Sequence, residues 1–283
     1  MIPQDFCIVG LGLLGGSYAQ ALTAAGCRVT AVDVRSEAIR FAQEKGWIAA
    51  GAVENFGPLL AQADAVVLGL YPQALAPWLR EHQHFFKPSA FVTDVCGVKR
   101  CVVAEAQGLL RPDVEFIACH PMAGREVSGV EHADARIFWP ANFIITPTEK
   151  NTPAGIAFAE ELAKALGFAH ISRLSCEEHD QVIGYVSQLT HAIAVSLMNA
   201  NDDPRLVEYT GDSFRDLTRI AKINEDLWAE LFFSNKDMLT REIVQFEAAL
   251  TDLKEKLERD DVEGLKALFR SSTARRRLFD KEN

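Results

Sequence analysis

Three groups of residues in this 283-residue chain have the types and spacing that chemistry requires. The first is the run Phe6-Cys-Ile-Val-Gly10-Leu-Gly12-Leu13-Leu14-Gly15, in which G-x-G-x-x-G directly follows a strand-like stretch and opens a helical one. The first glycine permits a tight turn and the second lets backbone approach a pyrophosphate. The third lets helix and strand pack closely, and the helix N-terminus offers free N–H donors to phosphate. Asp33 ends the next strand-like run, 18 residues beyond Gly15, where a carboxylate would bind a ribose 2′-hydroxyl and repel a 2′-phosphate. That points to NAD, with NADP less favoured; Arg35, two residues on, could reach a phosphate. A structural glycine turn with a surface aspartate is the bland alternative. Candidate cofactor contacts are Gly10, Gly12, Leu13, Leu14, Gly15, Asp33 and Arg35.

The second group lies on Phe91-Val-Thr-Asp94-Val-Cys96-Gly97-Val-Lys99 and on Phe116-Ile-Ala-Cys-His120-Pro-Met-Ala-Gly124-Arg125-Glu126. His120 ends an apolar strand, and Pro121 after it removes a ladder donor. A histidine there can take a proton from a substrate hydroxyl as hydride leaves for a cofactor, or it can simply cap a loop. Lys99 reads either as a catalytic cation or as a solvated helix-start lysine. The third group is helical. Ser187 and His191 are four apart and share a face, as do Asp212, Arg215, Asp216 and Arg219, which surface ion pairing would also explain. Asn224 reads as an N-cap, with Glu225 and Asp226 in the first turn and Trp228 following.

The elements that must position these groups divide the chain. Residues 1–174 hold 15 of the 18 glycines and 10 of the 11 prolines, so short elements dominate there and long helices follow. β-rich runs at Phe6–Val9, Arg28–Asp33, Ala65–Leu70, Ala90–Val95, Glu115–Cys119 and Asn142–Thr146 alternate with amphipathic stretches such as Ser36–Lys45 and Gln73–Phe85. That alternation predicts an α/β, Rossmann-type, doubly wound, mostly parallel sheet, closed by a helix Pro153–Leu166 and a strand Phe168–Ser172. From Ser175 onward helices are expected over Glu177–Asn199, Pro204–Ile223, Glu225–Glu258 and Val262–Phe279. The expected organisation is a dinucleotide-binding domain over 1–174 and an all-α domain over 175–283 for substrate binding and dimerisation, because long apolar helices have too little partner surface within one copy.

Composition narrows the partners. A net charge of −10 argues against nucleic acid, and no apolar run approaches a membrane span. The six cysteines show no metal spacing, so no metal is expected, and free thiols suggest a cytoplasmic protein. The expected partner is a small molecule. The charge splits −3 and −7 across residue 174.

Taken together, the glycine fingerprint, His120-Pro-Met-Ala-Gly, Ser187-Gln-Leu-Thr-His191 and Phe214-Arg-Asp-Leu-Thr-Arg219-Ile-Ala with Trp228 resemble the prephenate/arogenate dehydrogenase family of tyrosine biosynthesis over nearly the whole chain. The resemblance implies NAD-dependent oxidative decarboxylation of prephenate, with arogenate as the alternative, and a homodimer. His120 matches the family base that accepts the ring-hydroxyl proton, and Arg219 matches the arginine that binds the ring carboxylate. Ser187 and His191 match positions near the substrate side chain, His191 going with prephenate use. Trp228 lines the pocket in relatives, and Glu126 and Asp216 match an acidic pair controlling access. One departure stands out: where the family carries a serine near the base, this chain has Gly97, preceded by Cys96. Water, Cys96 or a backbone group would have to substitute. A β-hydroxyacid-type dehydrogenase and a regulatory dinucleotide-binding protein with impaired catalysis are the other readings.

Overall fold

The computed structural model describes residues 2–139 and 141–280. Through residue 116 the chain alternates strand and helix: β1 (Asp5–Val9), α1 (Leu13–Ala24), β2 (Arg28–Val32), α2 (Ser36–Glu44), β3 (Ala50–Ala52), α3 (Gly57–Gln62), β4 (Ala65–Leu68), α4 (Pro72–His82), β5 (Phe91–Asp94), α5 (Arg100–Leu109) and β6 (Glu115–Phe116). The six strands form one parallel sheet in the order β3-β2-β1-β4-β5-β6. Strand order reverses between β1 and β4, which opens a crevice beyond their carboxyl ends. Both faces are covered. Phe6 and Ile8 of β1 pack into one core, and Cys7 and Val9 into the other, as expected of a parallel sheet with helices on each side.

The expected strand Glu115–Cys119 is two strands in two sheets. Ile117 still donates its N–H to Val92 O (2.9 Å), and the chain then leaves the parallel sheet. β7 (Ala118–Pro121) pairs antiparallel with β8 (Asn142–Thr146), and after α6 (Pro153–Leu166) β9 (His170–Arg173) runs parallel to β8. His120 therefore sits on a strand that departs from the main sheet at its carboxyl edge.

The helical expectations were right in place, and two of the four, Pro204–Ile223 and Glu225–Glu258, were wrong in continuity. α7 (Cys176–Ile183) starts with a capping box between Ser175 and Glu178. It passes through a π-helical segment, Gly184–Leu189, into α8 (Thr190–Asn199). The expected helix Pro204–Ile223 is a 3-10 turn (Pro204–Glu208), then α9 (Asp212–Thr218) and a second 3-10 turn (Arg219–Ala221). α10 (Glu225–Ser234), capped by the Asn224 side chain, stops at Asn235 instead of running to 258. Asn235 is fully buried, and its amide donates to Asp180 O and to Gln188 Oε1 (both 2.8 Å), which fixes a non-helical backbone there. The chain forms two compact units that divide after Asn235, so the segment 175–235 belongs to the same unit as the sheets. In the second unit α11 (Lys236–Glu258) and α12 (Val262–Arg276) pack on one another. No helix among the described residues is long and apolar enough to cross a membrane.

Candidate active site

At the sheet crevice the glycines do three different jobs. Gly10 has φ +91°, and a Cβ there would lie 2.5 Å from Gly69 O at the end of β4, so the turn between β1 and α1 admits no side chain. A Cβ on Gly15 would fall 1.9 Å from Gly10 O, so the turn packs directly on α1. Over Gly12 there is open space within 4 Å. Packing does not demand a glycine at 12, and the open space lets a ligand approach the backbone there. α1 starts at Gly12 with no side-chain cap and no acidic residue in its first turn, so the amides of Leu13, Leu14 and Gly15 are left to an anion. Asp33 accepts the Leu11 N–H (2.6 Å) and the Arg35 N–H (2.8 Å), which pins the loop and holds the carboxylate at the rim. The Arg35 guanidinium lies 3.7 Å from Asp33 and donates to Leu11 O. These residues fit a dinucleotide.

His120 stands where β7 leaves the sheet, and a buried ion pair fixes the peptide before it. Asp94 and Lys99 are both fully buried, 2.6 Å apart. The Lys99 ammonium donates to Cys119 O (2.7 Å), and Asp94 accepts the N–H groups of Cys119 (3.1 Å) and Cys96 (3.0 Å). Lys99, read from the sequence as a catalytic cation or a solvated helix-start lysine, is buried, and its head holds the strand that carries His120. His120 Nδ1 lies 2.9 Å from Nε2 of His179, and His179 Nδ1 lies 2.7 Å from Asp180 Oδ1. Asp180 also accepts the backbone N–H of Lys99 (2.8 Å) and of Arg100 (2.9 Å), so it caps α5, and Arg100 Nε lies 3.4 Å from it. Arg100 donates further to Asn235 Oδ1 (3.2 Å), and Gln188 to Leu231 O (2.9 Å). Burial, the neighbouring His179 and the Lys99 cation push the pKa of His120 well below its ordinary 6.5.

The space in front of the His120 ring is bounded by Gly97. A Cβ there would lie 3.8 Å from His120 Nε2 and 3.4 Å from the Leu231 side chain, ordinary contact distances, and the backbone does not require glycine. A Cβ would fit there without a clash, and the chain carries none. Cys96 does not fill it, because its thiol lies 3.6 Å from Leu70 O. Leu231 belongs to α10, and Glu230 on the same helix accepts the Gln73 N–H at the start of α4.

The helical residues gather beyond this point. His191 stacks on Trp228 with ring centroids 3.6 Å apart, and donates Nδ1–H to Ser187 O (2.9 Å), so its Nε2 keeps a lone pair. Burial is the main cause lowering its pKa, with Glu126 and Arg219 near enough to act on it in opposite directions. Arg219 does not pair along its own helix: its guanidinium meets Glu126 at 2.5 Å, 93 residues away. The expected surface pairing holds for Arg215 and Asp212 alone of that set (3.6 Å), while Asp216 is exposed on α9. Sequence reasoning missed His179, Asp180, Arg100, Gln188 and Asn235. The capping box at Ser175 and Glu178 marked the helix that carries His179, but nothing in spacing tied that helix to His120.

A dinucleotide cradle at the switch point of a parallel sheet, with an imidazole at the adjoining strand end and a helical second part, defines a dinucleotide-dependent dehydrogenase. Two family models divide the chain, "Prephenate dehydrogenase, nucleotide-binding domain" over residues 18–172 and "Prephenate dehydrogenase, dimerization domain" over 175–271. The chain belongs to the prephenate dehydrogenase family. It is 29% identical to prephenate dehydrogenase of Bacillus subtilis over 96% of this chain and 75% of that protein. Identity is also 29% to cyclohexadienyl dehydrogenase of Zymomonas mobilis, over 95% and 94%. The Aquifex aeolicus prephenate dehydrogenase, solved in complex with hydroxyphenyl propionate and NAD+, superposes with a TM-score of 0.91 over 99% of both chains at 29% identity.

Proposed function

We propose that the protein catalyses the NAD-dependent oxidative decarboxylation of prephenate to 4-hydroxyphenylpyruvate, with His120 as proton acceptor. The observation that carries this reading is His120 itself. Its Nδ1 is engaged by His179, and its Nε2 lies on the Gly97 side, 3.8 Å from where a Cβ of residue 97 would stand. A nicotinamide held at the glycine cradle supplies the hydride acceptor. His120 Nε2 takes the proton of the ring hydroxyl while hydride leaves the same carbon, and loss of the ring carboxylate as CO2 makes the ring aromatic. The balanced reaction frees no net proton: the one His120 removes returns to the same oxygen as the phenol forms. Because its pKa is held below 6.5, His120 is the neutral base at neutral pH. Arg219 leaves Glu126 to bind a substrate carboxylate, and Trp228, Ser187 and His191 line the side-chain end. Asp33, set against the Arg35 charge, favours NAD over NADP.

His191 favours the keto side chain of prephenate over the amino group of arogenate, which is the second reading. In functional terms residues 1–174 bind the cofactor, and 175–283 complete the substrate pocket and dimerise. Exposed Val207, Tyr209, Phe233, Phe269, Leu278 and Phe279 supply apolar surface for a second copy. Six free cysteines suit a reducing compartment such as the cytoplasm. The deciding experiment measures turnover of prephenate and arogenate, each with NAD and NADP, by absorbance of the reduced nicotinamide. Fastest turnover is expected with prephenate and NAD. Faster turnover of arogenate overturns the substrate assignment, and preference for NADP overturns the cofactor assignment.

A further inference from the structure

The hydrogen-bond directions in the chain His120–His179–Asp180 follow from one fixed end. Asp180 is held as an acceptor by the Lys99 and Arg100 amides and by the Arg100 guanidinium, and its pKa lies below the ordinary carboxylate value. A carboxylate at 2.7 Å requires His179 to carry its proton on Nδ1. His179 Nε2 then has only a lone pair to present, so the 2.9 Å contact requires His120 to donate from Nδ1. That leaves the lone pair of His120 on Nε2, the ring atom on the Gly97 side. Hence one buried aspartate dictates the tautomer of both imidazoles.

We infer that His179 and Asp180 form a proton store behind His120: as His120 Nε2 takes the substrate proton, the Nδ1 proton of His120 passes to His179 Nε2. The result is a neutral His120 protonated on Nε2 and an imidazolium His179 paired with ionised Asp180. When the phenol oxygen needs its proton back, both transfers reverse, so every proton is accounted for and none goes to solvent. This closed circuit suits the site, since His179 and Asp180 are fully buried and the reaction has no net proton to discharge. Four charged groups face the two rings. Burial above all, and then Lys99, bound to Asp94, disfavour a positive charge on His179, whereas Asp180 and Asp94 favour it. Arg100 binds the far oxygen of Asp180 and keeps it ionised. His179 and Asp180 are positioning residues, acting through His120.

The inference rests on His120 being the base, and the test separates the two. In the unmutated protein, 15N-histidine NMR is expected to find both His120 and His179 protonated on Nδ1; a His179 protonated on Nε2 overturns the arrangement. His179→Gln keeps an acceptor for His120 Nδ1–H and cannot take the proton. It is expected to lower kcat about 100-fold, in the range of a general-base contribution, with KM and cofactor affinity within about twofold. The acid limb of kcat/KM is expected to move to higher pH, because the neighbouring His179 that lowers the His120 pKa is gone; a purely structural role would leave that limb in place. Unchanged kcat and pH profile in His179→Gln, alongside an inactive His120→Asn, overturn the store alone. Activity retained in His120→Asn overturns the underlying assignment of the base.

Discussion

Arg219 carries its guanidinium at the surface, 63% exposed, with Glu126 as its partner. An exposed pair of this kind contributes little stability, so the arginine is cheaply released to an incoming carboxylate. A hydrogen bond between charged partners in a closed site contributes about 1.5–3 kcal/mol. Arg219→Gln is therefore expected to raise KM about 10- to 100-fold with little effect on kcat, as read by initial-rate kinetics. His120→Asn should do the reverse, lowering kcat by about 10²–10⁴ with KM nearly unchanged. Lys99 shows how much burial adds to residue type. A lysine beside a catalytic strand invites a catalytic role, but its fully buried head is committed to Asp94 and to Cys119 O. What it supplies is the position of the next residue.

Three histidines sit on elements that bury them: His120 on β7, His179 on α7 and His191 on α8, all with pKa values lowered by burial. Above about pH 6.5 both folded and unfolded states hold them neutral. Below it the unfolded chain binds protons that the folded one refuses, so stability falls with acid. Asp180 has a lowered carboxylate pKa, and the stability it adds is lost only at lower pH still, as it too protonates. The melting temperature is expected to fall between about pH 7 and 5, and less steeply in His179→Gln; a flat profile would place these rings in solvent. Elements with local signals were legible in advance. α6 has Thr152 at its N-cap, proline at its first position and Gly167 in the left-handed conformation at its end, and its limits were read correctly. The break at Asn235 was invisible, because asparagine stops a helix there only through partners at Asp180 and Gln188. The π segment between α7 and α8 carries no residue that announces it. Likewise Arg219 and His120 could be singled out by motif, whereas the partner of His120 lies 59 positions away on a helix whose capping box does not tie it to His120.

The net charge of −10 acts on the molecule as a field. The substrate proposed above, prephenate, is a dianion, and few cations near the site are free to meet it: Arg219 is paired with Glu126, Arg125 with Asp134, and Lys99 is buried. Long-range steering thus opposes the substrate, and only short-range contacts favour it. kcat/KM is expected to rise when salt is raised from about 10 to 100 mM, as the Debye length shrinks from about 30 to 10 Å; a fall would show a local positive field dominating. The first compact unit runs to Asn235, across the boundary near 174 where the two family models meet. Asp180 is the stitch, capping α5 from one side of that boundary and orienting two imidazoles from both. Recombination is consequently constrained. A chimera joined near residue 174 inherits a helix start from one parent and its cap from the other, so halves of two relatives interchange as cassettes only where Lys99, Arg100, His179 and Asp180 travel as a matched set.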